Sequence, residues 1–103
     1  MSSVRTLLIL IGAALLEVGG DGLMRKGLHH RPALLLFGAA ALAAYGVLVN
    51  QGDAPFGRLL GVYIAIFFAV SQVAGVAAFE ETLGWRVAVG GALILAGGIV
   101  MLP

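Results

Sequence analysis

The sequence predicts an all-α integral membrane protein, a four-transmembrane-helix bundle, and three observations carry that class. Hydrophobic residues make up 61% of the 103 and charged residues only 11%. The mean hydropathy is +1.09, and the apolar residues fall into four runs parted by short polar stretches. A typical soluble domain carries about 25% charged and roughly 45–50% apolar residues, so water is not the solvent for most of this surface. The 6 Lys plus Arg nearly balance the 5 Asp plus Glu, for a formal charge of +1, which excludes nucleic acid as an electrostatically driven partner. With no cysteine, disulfides, thiolate chemistry and Cys-type zinc sites are excluded as well.

A helix needs roughly 20 residues at about 1.5 Å each to cross about 30 Å of hydrocarbon. The first run, Arg5 to Arg25, meets that length and is interrupted by Glu17 and Asp21. A signal peptide is the competing reading of its start, where Arg5 precedes the apolar stretch Thr6 to Leu16, but three more apolar runs follow. The second run, Pro32 to Asn50, has no charged residue and opens on a proline suited to a helix start. The third, Arg58 to Phe79, carries Ser71 and Gln72 inside it. The fourth, Trp85 to Leu102, begins with an aromatic residue of the kind that anchors at the membrane interface. The second and fourth are slightly short, implying little tilt or a thinned bilayer. Short connections at Arg25–Arg31, Gln51–Gly57 and Glu80–Gly84 make neighbouring helices antiparallel, so residues 1–103 read as a single transmembrane domain, multi-pass in the cell membrane.

Topology rests on basic residues. Arg25, Lys26, Arg31 and Arg86 fall on one side and Arg5 and Arg58 on the other. The positive-inside rule would put both termini outside, yet a bias this small allows both insertions.

Glu17 is the residue that a membrane span least tolerates. Between Arg5 and Arg25 it lies two residues from the midpoint, about 3 Å from the bilayer midplane. Acids at that depth face a bundle interior or a wet cavity and commonly serve transport or proton relay. Asp21 is one turn on, on the same helical face, with Ala13 and Gly20 flanking it and leaving room for a ligand. Two readings of Asp21 stand: an interfacial ion pair with Arg25, or direct participation in binding. For Glu17 the bland alternative is a neutral acid hydrogen-bonded within the bundle.

The sixteen glycines suggest close helix packing. Gly12, Gly19 and Gly22 line the side of the first helix opposite Glu17, an expected packing face. Gly90 over Gly97 and Gly91 over Gly98 form a stripe on the fourth helix, read as a dimer seam with packing inside the monomer as the alternative. On the third helix Tyr63, Phe67, Val70 and Ala74 share one face, and Phe68, Gln72 and Phe79 the other. Tyr63 could bond Glu17, stack on a cation or sit in an interfacial belt. Ser71 and Gln72 need partners from another helix, a substrate or their own backbone. Tyr45 is similarly open. Glu80 and Glu81 read as acids near the start of the fourth helix, and His29 and His30 as solvated loop residues. No nucleophile–base set, metal motif or phosphate loop is present, so no enzyme activity, cofactor or metal is expected.

The segment LLEVGGDGLMRKG, Leu15 to Gly27, resembles the first-helix motif of the small multidrug resistance transporters, within the drug/metabolite transporter superfamily. The Tyr63 region is similar to that family's third helix, and Phe79 to Met101 to the superfamily's last-helix region. The YnfA-like branch is similar in length and shares Glu17 followed by Gly57 and Arg58. The resemblance covers almost the whole chain. It implies an antiparallel, dual-topology dimer of eight helices in which the two copies of Glu17 bind either protons or a cationic substrate. By the same resemblance Tyr63 neighbours the site and Gly90, Gly91, Gly97 and Gly98 form the dimerising stripe. Two departures bear on substrate: Ile66 and Phe67 stand where a tryptophan is expected after the tyrosine, and Asp21 replaces the usual hydroxyl.

The expectation is therefore a proton-coupled exporter of a small cation, a homodimer whose site draws on Glu17, Asp21, Tyr63, Phe67 and Ser71. The alternatives are a non-transporting membrane assembly or regulatory subunit and half of a heterodimeric transporter.

Overall fold

The computed structural model describes residues 3–102. They form four helices, α1 (Ser3–His29), α2 (Leu34–Val49), α3 (Phe56–Phe79) and α4 (Trp85–Met101), with no strand among the described residues. α1 and α3 are long and apolar enough to cross a membrane, whereas α2 and α4 have 16 and 17 residues, about 24 and 26 Å. Only 22% of the apolar window of α1 and of α3 is buried, and Leu36, Val73, Leu93 and Val100 are each at least 70% exposed. In water such surface would be penalised at about 25 cal/mol per Å²; in lipid it is not.

The boundaries follow local chemistry. α1 runs past Arg25 to His29, so most of the expected Arg25–Arg31 loop is helical. Charge ends the apolar span, but Arg and Lys are good helix formers, and the chain leaves the helix only as Pro32 approaches and bars Arg31 from helical geometry. The turn closes tightly, Leu34 N–H donating to Arg31 O at 3.0 Å and Leu35 N–H to Pro32 O at 3.1 Å. α3 begins two residues before Arg58, on Pro55, whose carbonyl accepts from Leu59 N–H at 2.9 Å. It ends at Glu80, which holds the left-handed conformation at φ 56°, a geometry costing a non-glycine residue about 1–2 kcal/mol. Glu81 N–H then bonds Gly75 O at 3.1 Å, and the Glu81 carboxylate lies where a Gly75 side chain would stand. The acids expected at the start of the fourth helix thus close the end of the third, where the dipole disfavours them.

The chain divides into two units, Met1–Gly52 and Asp53–Pro103. In the first, α1 and α2 pack antiparallel. A Cβ on Gly12 would meet Leu48 at 3.7 Å, one on Gly20 would meet Leu42 at 2.9 Å and the Gly38 carbonyl at 3.1 Å, and one on Gly27 would meet Leu35 at 2.9 Å. Leu10, Ala13 and Ala14 are fully buried. The packing stripe of α1 therefore runs through Leu10, Ala13, Gly20 and Gly27 at helical spacing. This corrects the face expected from Gly12, Gly19 and Gly22: Gly19 has nothing within 4 Å of its Cβ position, and Gly12 makes only ordinary contact. Asn50 finishes α2 by donating to Gly46 O at 2.8 Å.

In the second unit α3 and α4 approach through Gly61 against Met101, Ala65 against Gly98 and Phe68 against Gly91. Arg58 reaches across to the end of α4, Nε to Met101 O at 2.8 Å and Nη2 to Leu102 O at 3.1 Å. A cation there answers both the unsatisfied carbonyls and the negative end of the helix dipole. At the other end of α4 the Arg86 guanidinium lies 5.3 Å from the Trp85 ring centre. The glycine stripe expected to face a partner is divided: Gly91 and Gly98 are buried against α3, while Gly90 and Gly97 open onto space. Gly98→Ala is therefore expected to destabilise the α3–α4 pair by about 1–3 kcal/mol, because its Cβ would strike Ala65. Gly97→Ala should leave the monomer unchanged, a contrast readable in helicity lost on denaturing-detergent titration.

Candidate binding site on the first two helices

Glu17 follows the central residue of the 27-residue α1 and lies on its packing stripe, one turn from both Ala13 and Gly20. It is half-buried, whereas Asp21, rotated toward the edge of the seam, is exposed. The contacts Gly12–Leu48 and Gly20–Leu42 bracket it, so the antiparallel register brings the middle of that α2 segment opposite, and Tyr45 stands there. Tyr45 is half-buried and within electrostatic reach of both Glu17 and Asp21. A phenol can donate to a carboxylate or present its ring to a cation. The signal that could have singled it out was its place as the one polar side chain inside an otherwise apolar second span.

The room expected beside Ala13 and Gly20 is filled by α2. Ala13 is fully buried, and Leu42 and the Gly38 carbonyl occupy the space Gly20 leaves. The small residues here serve helix approach.

Among the other candidates, Tyr63 is buried and its ring centre lies 6.1 Å from that of Phe67. At 100° per residue, Tyr63 and Phe67 fall on the side of α3 away from the Gly61–Ala65–Phe68 stripe that meets α4, and Ser71 lies about a quarter turn from that stripe. Ser71 takes one of the partners its position left open, its own backbone. Its hydroxyl donates to Phe68 O at 2.7 Å, so its single proton is committed to its own helix, and only its oxygen remains to accept, with Gln72 Nε2 at 3.5 Å.

An all-helical chain with lipid-exposed apolar faces and an acid at the centre of a helix seam defines an α-helical membrane protein. The family model described as "Uncharacterised BCR, YnfA/UPF0060 family" matches residues 3–103, and the chain belongs to that family, the YnfA-like branch that Glu17, Gly57 and Arg58 resemble. Among relatives, a UPF0060 membrane protein of Mycolicibacterium vanbaalenii is 40% identical over 95% of this chain and 94% of its own length. One of Mycobacterium marinum is 38% identical over 93% and 89%, and one of Frankia casuarinae 42% identical over 75% and 73%. No solved structure matches.

Proposed function

We propose that this protein is a proton-coupled exporter of small cations, working as an antiparallel homodimer in the cell membrane with all four helices of each chain crossing. The observation that supports it best is Glu17, half-buried at the centre of α1 with Asp21 a turn away and Tyr45 within electrostatic reach of both. One carboxylate can hold a proton or a cation but not both, and that exclusion couples the two fluxes when the site opens alternately to each side. Four short helices enclose little volume, so the pathway forms between two chains, with Gly90 and Gly97 of α4 offering the seam left open within the monomer. The exposed Asp21 favours a small polar cation over a bulky aromatic one.

The test is purified protein in liposomes, with a pH gradient driving uptake of guanidinium, a quaternary ammonium ion or a polyamine. Uptake that follows the gradient and stops when an ionophore collapses it is the expected result, together with dimers on cross-linking in membranes. No gradient-dependent uptake of any of the three, with monomers alone recovered, rules the proposal out.

A further inference from the structure

The turn that joins α1 to α2 carries Arg25, Lys26, His29, His30 and Arg31, all exposed. Asp21 lies one turn before Arg25 and the next acid in the chain is Asp53, so the segment from Lys26 to Arg31 carries basic residues and no acid of its own. The cluster is not a floppy loop, since α1 stays helical to His29 and His30 N–H still donates to Lys26 O at 2.8 Å. The apolar part of α1 ends at Met24, and the turn from Arg25 to His29 adds about 6 Å of helix. That matches the headgroup layer of a bilayer, about 5–7 Å on each side of the hydrocarbon. Leu28, set among these cations, is 70% exposed, and an apolar side chain at that level turns toward acyl chains.

From this placement we propose that the α1–α2 turn is a docking surface for anionic phospholipid headgroups. The phosphate meets Lys26 and Arg31, with Arg25 adding to the field, and Leu28 enters the edge of the hydrocarbon beside it. A basic cluster directly outside a membrane helix gains about 1 kcal/mol per Lys or Arg from anionic lipid, roughly a fivefold change in affinity for each. A soluble phosphate gains the charge but not the contact with Leu28, so the surface is specific to lipid. The proposal does not depend on transport.

The experiment is native mass spectrometry of the full chain in detergent, titrated with phosphatidylglycerol or with phosphatidylcholine of the same acyl chains. Phosphatidylglycerol is expected to be retained preferentially, and less so as NaCl rises. The double substitution Lys26→Gln, Arg31→Gln should weaken it about 25-fold with phosphatidylcholine unaffected, while Arg5→Gln changes neither. Because the double variant could perturb the turn, the charge-preserving pair Lys26→Arg, Arg31→Lys is measured beside it and should bind as the parent does. Equal retention of the two lipids, undiminished phosphatidylglycerol binding by the glutamine pair or a loss as large in Arg5→Gln each overturns the proposal. So does displacement of the lipid by inorganic phosphate at equal concentration, which would reveal a free-anion site.

Discussion

Glu17→Gln is expected to lose gradient-driven cation uptake by about 10²–10⁴-fold, the range for removing a proton-transferring group, while folding at least as stably as the parent. Glutamine keeps the size and hydrogen-bonding reach of the acid but neither releases a proton nor balances a cation, so both halves of the exchange fail together. Stability moves the other way, because a carboxylate at mid-bilayer depth costs some kilocalories per mole that an amide does not. Asp21→Asn is the calibrating variant. Its side chain is exposed, where an ion pair contributes about 0–1 kcal/mol, so uptake should fall only a few-fold. The measurement is initial uptake rate in liposomes at matched protein content, beside the denaturing-detergent midpoint of each variant. Equal transport by Glu17→Gln and the parent would refute the role assigned to this acid, whatever Asp21→Asn does.

The sequence made the four helices and the central place of Glu17 in α1 legible because both depend on composition along the chain: apolar length against bilayer thickness, and one acid counted from flanking arginines. Rotation about a helix axis was harder to read. At Gly19–Gly20, Gly90–Gly91 and Gly97–Gly98 two glycines stand side by side, and a 100° turn decides which one meets a neighbour. The structure selects Gly20, Gly91 and Gly98 for packing inside the chain. The selection depends on the complementary residues Gly38, Phe68 and Ala65 on the facing helix, which no pattern within one helix reveals. Arg25 misled for a different reason: it ends the lipid-soluble span without ending the helix. Ser71 has a local answer, since a hydroxyl inside a helix can bond back to a carbonyl three or four residues earlier, here Phe68. Tyr45 gained its importance only through the pairing of α1 with α2.

That pairing is itself open to test, and Gly38→Leu should break it. Between helices in lipid the hydrophobic effect supplies little, and association rests on close packing of small residues. A Cβ on Gly38 would lie 3.0 Å from the Gly20 carbonyl oxygen, the Met24 amide nitrogen and Met24 Cγ. Two of these are backbone atoms that cannot swing aside, so the helices themselves must separate. The expected cost is about 1–3 kcal/mol for overpacking a close contact, seen as an earlier loss of helicity on denaturing-detergent titration. Gly46→Leu on the same helix, where nothing lies within 4 Å of the Cβ position, should behave as the parent, which separates steric clash from any general effect of replacing a glycine. Separation would also carry Tyr45 away from Glu17, so cation uptake per folded molecule should fall in Gly38→Leu and not in Gly46→Leu. A Gly38→Leu protein as stable as the parent would mean that α1 and α2 do not approach through Gly20 and Gly38, and the seam that shields Glu17 would have to be built elsewhere.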